Sequence, residues 1–170
     1  MFASLTAGSS FADRFRVVEL LSEGEVGPLL VAEEFGDGAR VALKVLHEDI
    51  LGDRALRERF VSEVKHGVQN EHLVSVLDAG IDAESGSPWL AMELLDGEEL
   101  RTKVQREGAL PAREVVRILA AVGAAIQSEH ARGRAHAGLT HENVFLAKKR
   151  IKVRELGLAR FMVEVFAREG

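Results

Sequence analysis

Along the first part of the chain apolar residues alternate with polar ones, and along the second they recur every three to four positions. Residues 15–21 (Phe-Arg-Val-Val-Glu-Leu-Leu) alternate and break at 22–28 (Ser-Glu-Gly-Glu-Val-Gly-Pro); the pattern then resumes at 29–34 and, after Gly36-Asp37-Gly38, at 41–46. Runs of this length bounded by glycine turns predict three antiparallel strands. Residues 1–10 are small and polar and read as a flexible lead-in. Over residues 53–68 the period changes, with Leu56, Phe60, Val61 and Val64 on one stripe and Asp53 at the N-cap position, which predicts a helix. Residues 73–77 and 89–95 give two further strands around the turn-rich stretch 82–88.

After Asp96-Gly97 the pattern is helical, briefly over 98–107 and at length over 111–131, where Pro111 suits a first turn. Val115, Val116, Ile118, Leu119, Val122, Ala125 and Ile126 make this longer helix apolar around much of its circumference, so it needs neighbours on several sides. Residues 143–146 and 151–153 predict a short hairpin. Five strands with one inserted helix, then mostly helix, is an α+β arrangement.

Composition narrows the class. A chain of 170 residues, 46% hydrophobic and 29% charged, is expected to form one packed unit. The net charge of -5 comes without a basic block, which argues against nucleic acid as a partner. With no cysteine there is no disulfide, thiolate metal site or cysteine nucleophile, which suits the cytoplasm. The longest apolar run, 118–126, is too short to span a membrane, and no signal peptide is expected.

The motifs decide among α+β folds. In order, the chain carries a glycine-bearing turn (Leu21 to Gly27), Val41-Ala42-Leu43-Lys44, the helix residue Glu63, Met92-Glu93-Leu94-Leu95, the stretch His136-Ala137-Gly138-Leu139-Thr140-His141-Glu142-Asn143, and Glu155-Leu156-Gly157. This order and spacing resembles the bacterial eukaryotic-like Ser/Thr protein kinases, over about residues 13 to 160. The resemblance implies a protein-kinase-like α+β fold with a flexible N-terminus (1–12), an N-lobe (13–95) holding a five-stranded antiparallel sheet and one helix, and a partial, mostly helical C-lobe (96–170).

The same resemblance implies a nucleotide site made of Gly24, Gly27, Ala42, Lys44, Glu63, Glu93, Leu95, Asn143, Phe145 and Glu155. A glycine turn brings backbone N–H groups to phosphates, the strand lysine neutralises phosphate oxygens and the helix glutamate holds that lysine. Backbone groups of Glu93 and Leu95 would hold adenine, and Phe145 would floor the pocket. From the residues alone Lys44 is equally a sheet-edge lysine, Glu63 a solvated helix residue, the glycine turn an ordinary hairpin turn and Phe145 a core phenylalanine. His130, His136 and His141 match no familiar metal-ligand spacing.

Three departures shape the functional expectation. Gly138 stands where the family has its catalytic aspartate, Ala137 and Thr140 where it has arginine and lysine, and Glu155, one methylene longer, where it has a magnesium-ligating aspartate. The chain also stops thirteen residues after Gly157, short of a peptide-docking platform. The expectation is therefore a truncated pseudokinase that is not an enzyme and needs no metal or cofactor, with ATP an optional ligand held without efficient magnesium binding. Its role would be interaction, as a homodimer or with another protein, through Val115, Leu119, Val122 and Ile126 of the long helix and Phe161, Val163, Val165 and Phe166 of the tail. The alternatives are a nucleotide-binding switch without transfer, a kinase-fold enzyme with other transfer chemistry, and the amino-terminal part of a longer protein.

Overall fold

The computed structural model describes residues 5–66, 69–133, 139–148, 150–154 and 161. It divides into two compact units, one built from Met1–His66 and Val76–Leu94, the other from Gly67–Ser75 and Leu95–Gly170.

The first unit is a six-stranded antiparallel sheet in the order β1-β2-β3-β4-β6-β5, formed by β1 (Ser10–Phe11), β2 (Phe15–Ser22), β3 (Leu29–Glu34), β4 (Arg40–Val45), β5 (Val76–Ile81) and β6 (Pro88–Glu93). The sixth strand corrects the expected five. It comes from the stretch read as a flexible lead-in, where Gly8 N–H donates to the Val17 carbonyl and Val17 N–H to the Ser9 carbonyl. The chain reverses through Ala12 and Asp13, both in the left-handed region, so the turn lacks the glycine by which hairpins are recognised.

Period-two alternation sends Val41, Leu43 and Val45 of β4 to one face and Ala42 and Lys44 to the other. The first face packs with Phe11, Phe15, Leu30 and Trp89. Phe15 meets Trp89 edge to face, centroids 5.1 Å apart. Helix α1 (Arg54–Lys65) starts at Asp53, whose carboxylate accepts from Leu56 N–H at 2.9 Å. It buries Phe60 and Val64 and packs against β5 and β6. No α1 residue belongs to the Trp89 core, so the helix covers the opposite face.

In the second unit β7 (Gly97–Glu99), β8 (Val144–Ala147) and β9 (Ile151–Val153) form a small sheet in that order, with helices α2 (Leu100–Glu107) and α3 (Ala112–His130). Gly97 and Glu98, expected as a turn and a helix start, pair instead with Ala147 and Leu146. The close approach needs glycine: a Cβ at Gly97 would lie 2.2 Å from the Leu146 carbonyl oxygen. The core gathers Leu73, Ile118, Val122, Ala125, Val144 and Val153. Leu73, expected in a strand of the first sheet, makes instead an isolated parallel bridge to Val153. The strand proper begins at Val76.

The Trp89 ring lies against the backbone of Gly80, where a Cβ would stand 2.6 Å from Cζ2. Gly80→Ala therefore overpacks a closed core and is expected to cost about 1–3 kcal/mol in chemical denaturation. An unchanged midpoint would show that the ring has room to move.

Candidate nucleotide-binding site

The turn between β2 and β3 is drawn onto the end of β4. Gly27 N–H donates to the Gly24 carbonyl at 2.9 Å, Val45 N–H to the Pro28 carbonyl at 3.1 Å and His47 N–H to the Val26 carbonyl at 3.1 Å. Gly27 has φ 129°, and a Cβ there would fall 2.1 Å from the Val45 carbonyl oxygen. Only glycine fits such a position.

Lys44 is 7% exposed, and its Nζ donates to the Gly27 carbonyl at 2.7 Å. A Cβ on Gly24 would come within 3.2 Å of the same Nζ. The structure thus brings Gly24, Gly27 and Lys44 together, with Ala42 buried two residues earlier on the same strand face. A buried ammonium demands acceptors, and this one reaches into the glycine turn to find one. Backbone amides and a cation at one turn can take up the oxygens of a phosphate.

Glu63 sits on α1 and accepts from Arg59 Nε at 2.7 Å, one helical turn earlier. Lys44 and Glu63, expected as a pair, are described here with the Gly27 carbonyl and Arg59 as partners. Glu93 ends β6 opposite Val41 and belongs to the first unit, whereas Leu95 belongs to the second. Asn143 and Phe145 also lie in the second unit. Asn143 donates its backbone N–H to the Thr140 carbonyl at 3.1 Å and accepts at its own carbonyl from Arg154 N–H at 2.8 Å. The Arg154 guanidinium stands 5.5 Å over the Phe145 ring and pairs with Glu99 at 2.6 Å, so Phe145 is half-buried as a stacking partner. Any magnesium would draw on Asn143 and Glu155, and of these only Asn143 is described. Glu155, His136, Ala137, Gly138, Val163, Val165 and Phe166 lie outside the described residues.

On α3 the expected uncovered face is divided. Val122 belongs to the second core and Ile126 packs against it, because Leu73, Val144 and Val153 close over that stripe. Val115 and Leu119 are exposed, at 38% and 63%, together with Val116 at 64%. Phe161 is buried, at 1%.

A polar cluster absent from the sequence reading holds α1 to the sheet. Lys65 Nζ lies 2.8 Å from Asp78 Oδ1 on β5. Arg14 pairs with the same carboxylate and, at 2.6 Å, with Glu34, while its guanidinium covers the Phe15 and Trp89 rings at 5.2 and 5.7 Å. Partial burial by itself would raise the Asp78 carboxyl; hydrogen bonds from Lys65, Arg14 and the Ala79 amide outweigh it and hold the group at about 2. Arg14 and Asp78 lie 64 residues apart, so no local pattern links them.

The chain matches the protein kinase domain family over residues 15–166. It is 36% identical over 153 residues to the serine/threonine-protein kinase Pkn1 of Myxococcus xanthus, covering 86% of this chain and 22% of that protein. It is 30% identical over 159 residues to the serine/threonine-protein kinase PknA of Mycobacterium tuberculosis, covering 90% and 37%. The solved M. tuberculosis PknI kinase domain superimposes with a TM-score of 0.77 at 32% identity, over 92% of this chain and 62% of that one. The chain thus spans well under half the length of these curated relatives. It is a kinase-domain fragment covering the N-lobe and part of the C-lobe. The matched family is an enzyme family and the relatives are named as kinases, which overturns the expectation that the chain is not an enzyme. That expectation rested on Gly138, Ala137, Thr140 and Glu155 and on the lack of a peptide-docking platform; of these residues only Thr140 is among those described.

The Asp78 cluster has a pH signature. A carboxyl at about 2 in the folded state, against an ordinary 3.8, contributes stability that is whole above pH 3.8 and lost as pH falls through about 2. Denaturation midpoints of the wild type and Asp78→Asn should differ by a constant amount above pH 4 and converge toward pH 2. A gap that stays unchanged down to pH 2 would overturn this assignment.

Proposed function

This chain belongs to the protein kinase domain family, and we propose that it carries the nucleotide-holding part of a serine/threonine-type kinase domain, with Lys44 and the glycine turn receiving the phosphates of ATP. The observation that carries the reading is the buried Lys44 ammonium on the Gly27 carbonyl, 2.7 Å away. A phosphate oxygen can replace that neutral acceptor and give the ammonium an anionic partner in place of a carbonyl dipole. Adenine would meet the backbone of Glu93 and Leu95, which side-chain substitution leaves intact. Transfer of the phosphoryl group to a Ser or Thr hydroxyl is proposed on the relatives' names and on the family alone. With glycine at 138 this chain places no side-chain base at that position, and a positioned base contributes about 10²- to 10⁴-fold in rate. The longer Glu155 leads us to expect ATP binding that responds weakly to magnesium. No helix among the described residues is long and apolar enough to cross a membrane; a cytoplasmic address is proposed from the absence of cysteine.

A second reading is favoured by the exposure of Val115, Val116 and Leu119 on α3. We propose that this stripe docks a second copy of the chain, since a two-fold contact buries one apolar patch against itself.

ATP should raise the melting temperature of the wild type, by an amount equivalent to about 2.7 kcal/mol at one hundred times its dissociation constant. Lys44→Met should abolish the rise. Labelled-phosphate transfer by the wild type should be slow, and Gly138→Asp should raise it about 10²-fold or more. No melting shift at millimolar ATP would overturn the nucleotide reading. Light scattering after size exclusion should show a dimer that Leu119→Asp converts to a monomer; a monomeric wild type at micromolar concentration would overturn the docking reading.

A further inference from the structure

Strand β8 of the second unit alternates. Val144 enters the core and Leu146 packs against it, so Phe145 between them faces the other side of the small sheet. Its cross-strand neighbours are Glu99 on β7 and Lys152 on β9. Two residues past Lys152 comes Arg154, still in register with β8, because its N–H donates to the Asn143 carbonyl at 2.8 Å. Period two therefore sets Arg154 on the face that carries Phe145 and Glu99.

On that face the arginine is built in. Its Nη2 donates to Glu99 Oε1 at 2.6 Å and to the Glu142 carbonyl at 2.8 Å. Its Cζ stands over the Phe145 ring, 5.5 Å from the centroid. The side chain is 20% exposed, so it packs against the sheet instead of extending into water. A guanidinium is planar and delocalised, and it stacks on an aromatic face as a nucleobase does. One ring face takes one such group.

Phe145 is the residue that would lie beneath adenine. We propose that Arg154 is a resident occupant of the adenine position: its guanidinium covers the Phe145 floor and has to swing off the ring before a purine base can stack there. This occupancy rests on the nucleotide reading above and regulates the same site, since affinity is then set by how often the ring is uncovered. A floor open in about a tenth of the molecules binds its ligand about 10-fold more weakly than one that is always open. Arg154 belongs to none of the motifs from which the family is identified.

Titration calorimetry with ATP and, separately, with adenosine tests the occupant role, with the ligand-free melting temperature measured for each variant. Arg154→Ala should bind both ligands about 10-fold more tightly than the wild type. Arg154→Leu keeps an apolar stem on the sheet and carries the same expectation should the alanine variant fail to fold. Arg154→Lys, which keeps the charge and loses the planar fork, should fall between the two. Arg150→Ala breaks the pair with Glu71 at the start of the same β9 segment and should leave both affinities unchanged. If the wild type binds ATP and the folded Arg154 variants bind it equally or more weakly, the occupant role is overturned while the nucleotide reading stands. A gain for ATP without a gain for adenosine would also overturn it, because the base is the part that needs the floor. No ATP binding by the wild type or by any Arg154 variant overturns both.

Discussion

A lysine ammonium buried inside a sheet is the constraint on which the first unit depends. Leaving an unpaired charge out of water costs several kcal/mol, so Lys44 must be met by acceptors wherever β4 places it. The placement follows from period two: with Val41, Leu43 and Val45 committed to the Trp89 core, Lys44 can only point to the other face. Meeting it then requires the turn after β2 to come down onto β4. That approach puts Gly27 where a side chain would strike the Val45 carbonyl. A glycine turn, a lysine two residues from an alanine, and a helix over the same face are thus one packing solution expressed in three places.

The second unit solves a different problem, a helix with more apolar surface than one small sheet can cover. Its sheet has three short strands, and the stretch around Leu73 adds a further cover through its bridge to Val153. His72 and Lys152 reinforce that link: the His72 ring lies 2.9 Å from the Ile151 carbonyl, and Lys152 donates to the Leu73 carbonyl at 3.0 Å. The residues that a linear reading joins to the first sheet are therefore held by the second core, where they bury Leu73 against Val122 and Ala125.

What could be read beforehand was local in sequence. The Asp53 cap, the α1 stripe, the long helix and the Val-Ala-Leu-Lys strand each declare themselves within a few residues, because capping and periodicity are short-range effects. The order of the motifs then identified the family. What escaped was set by partners far along the chain. The first strand exists only because Phe15 and Arg16 are there to pair with it, and Ala12 and Asp13 carry no turn signature. Asp78 reads as an ordinary polar strand residue until Arg14 and Lys65 arrive from other elements. Arg154 likewise gains meaning from Glu99 and Phe145. Reading Gly138 as the end of enzymatic function overreached for a related reason: the absence of one side chain removes a rate factor, whereas membership of an enzyme family rests on the whole pattern.

The phosphate end of the nucleotide reading and the docking reading draw on different units, and this bears on how they relate. Lys44 and Glu63 belong to the first unit, and Val115, Val116 and Leu119 to the second. Burial of one aliphatic side chain is worth about 1.5–3 kcal/mol, so the proposed docking of the exposed α3 stripe would draw on apolar area and need no ligand. Lys44, by contrast, gains from a ligand's charge rather than from apolar area. The two proposed readings thus differ in physics: one draws on charge at Lys44 and the other on apolar area at Val115, Val116 and Leu119.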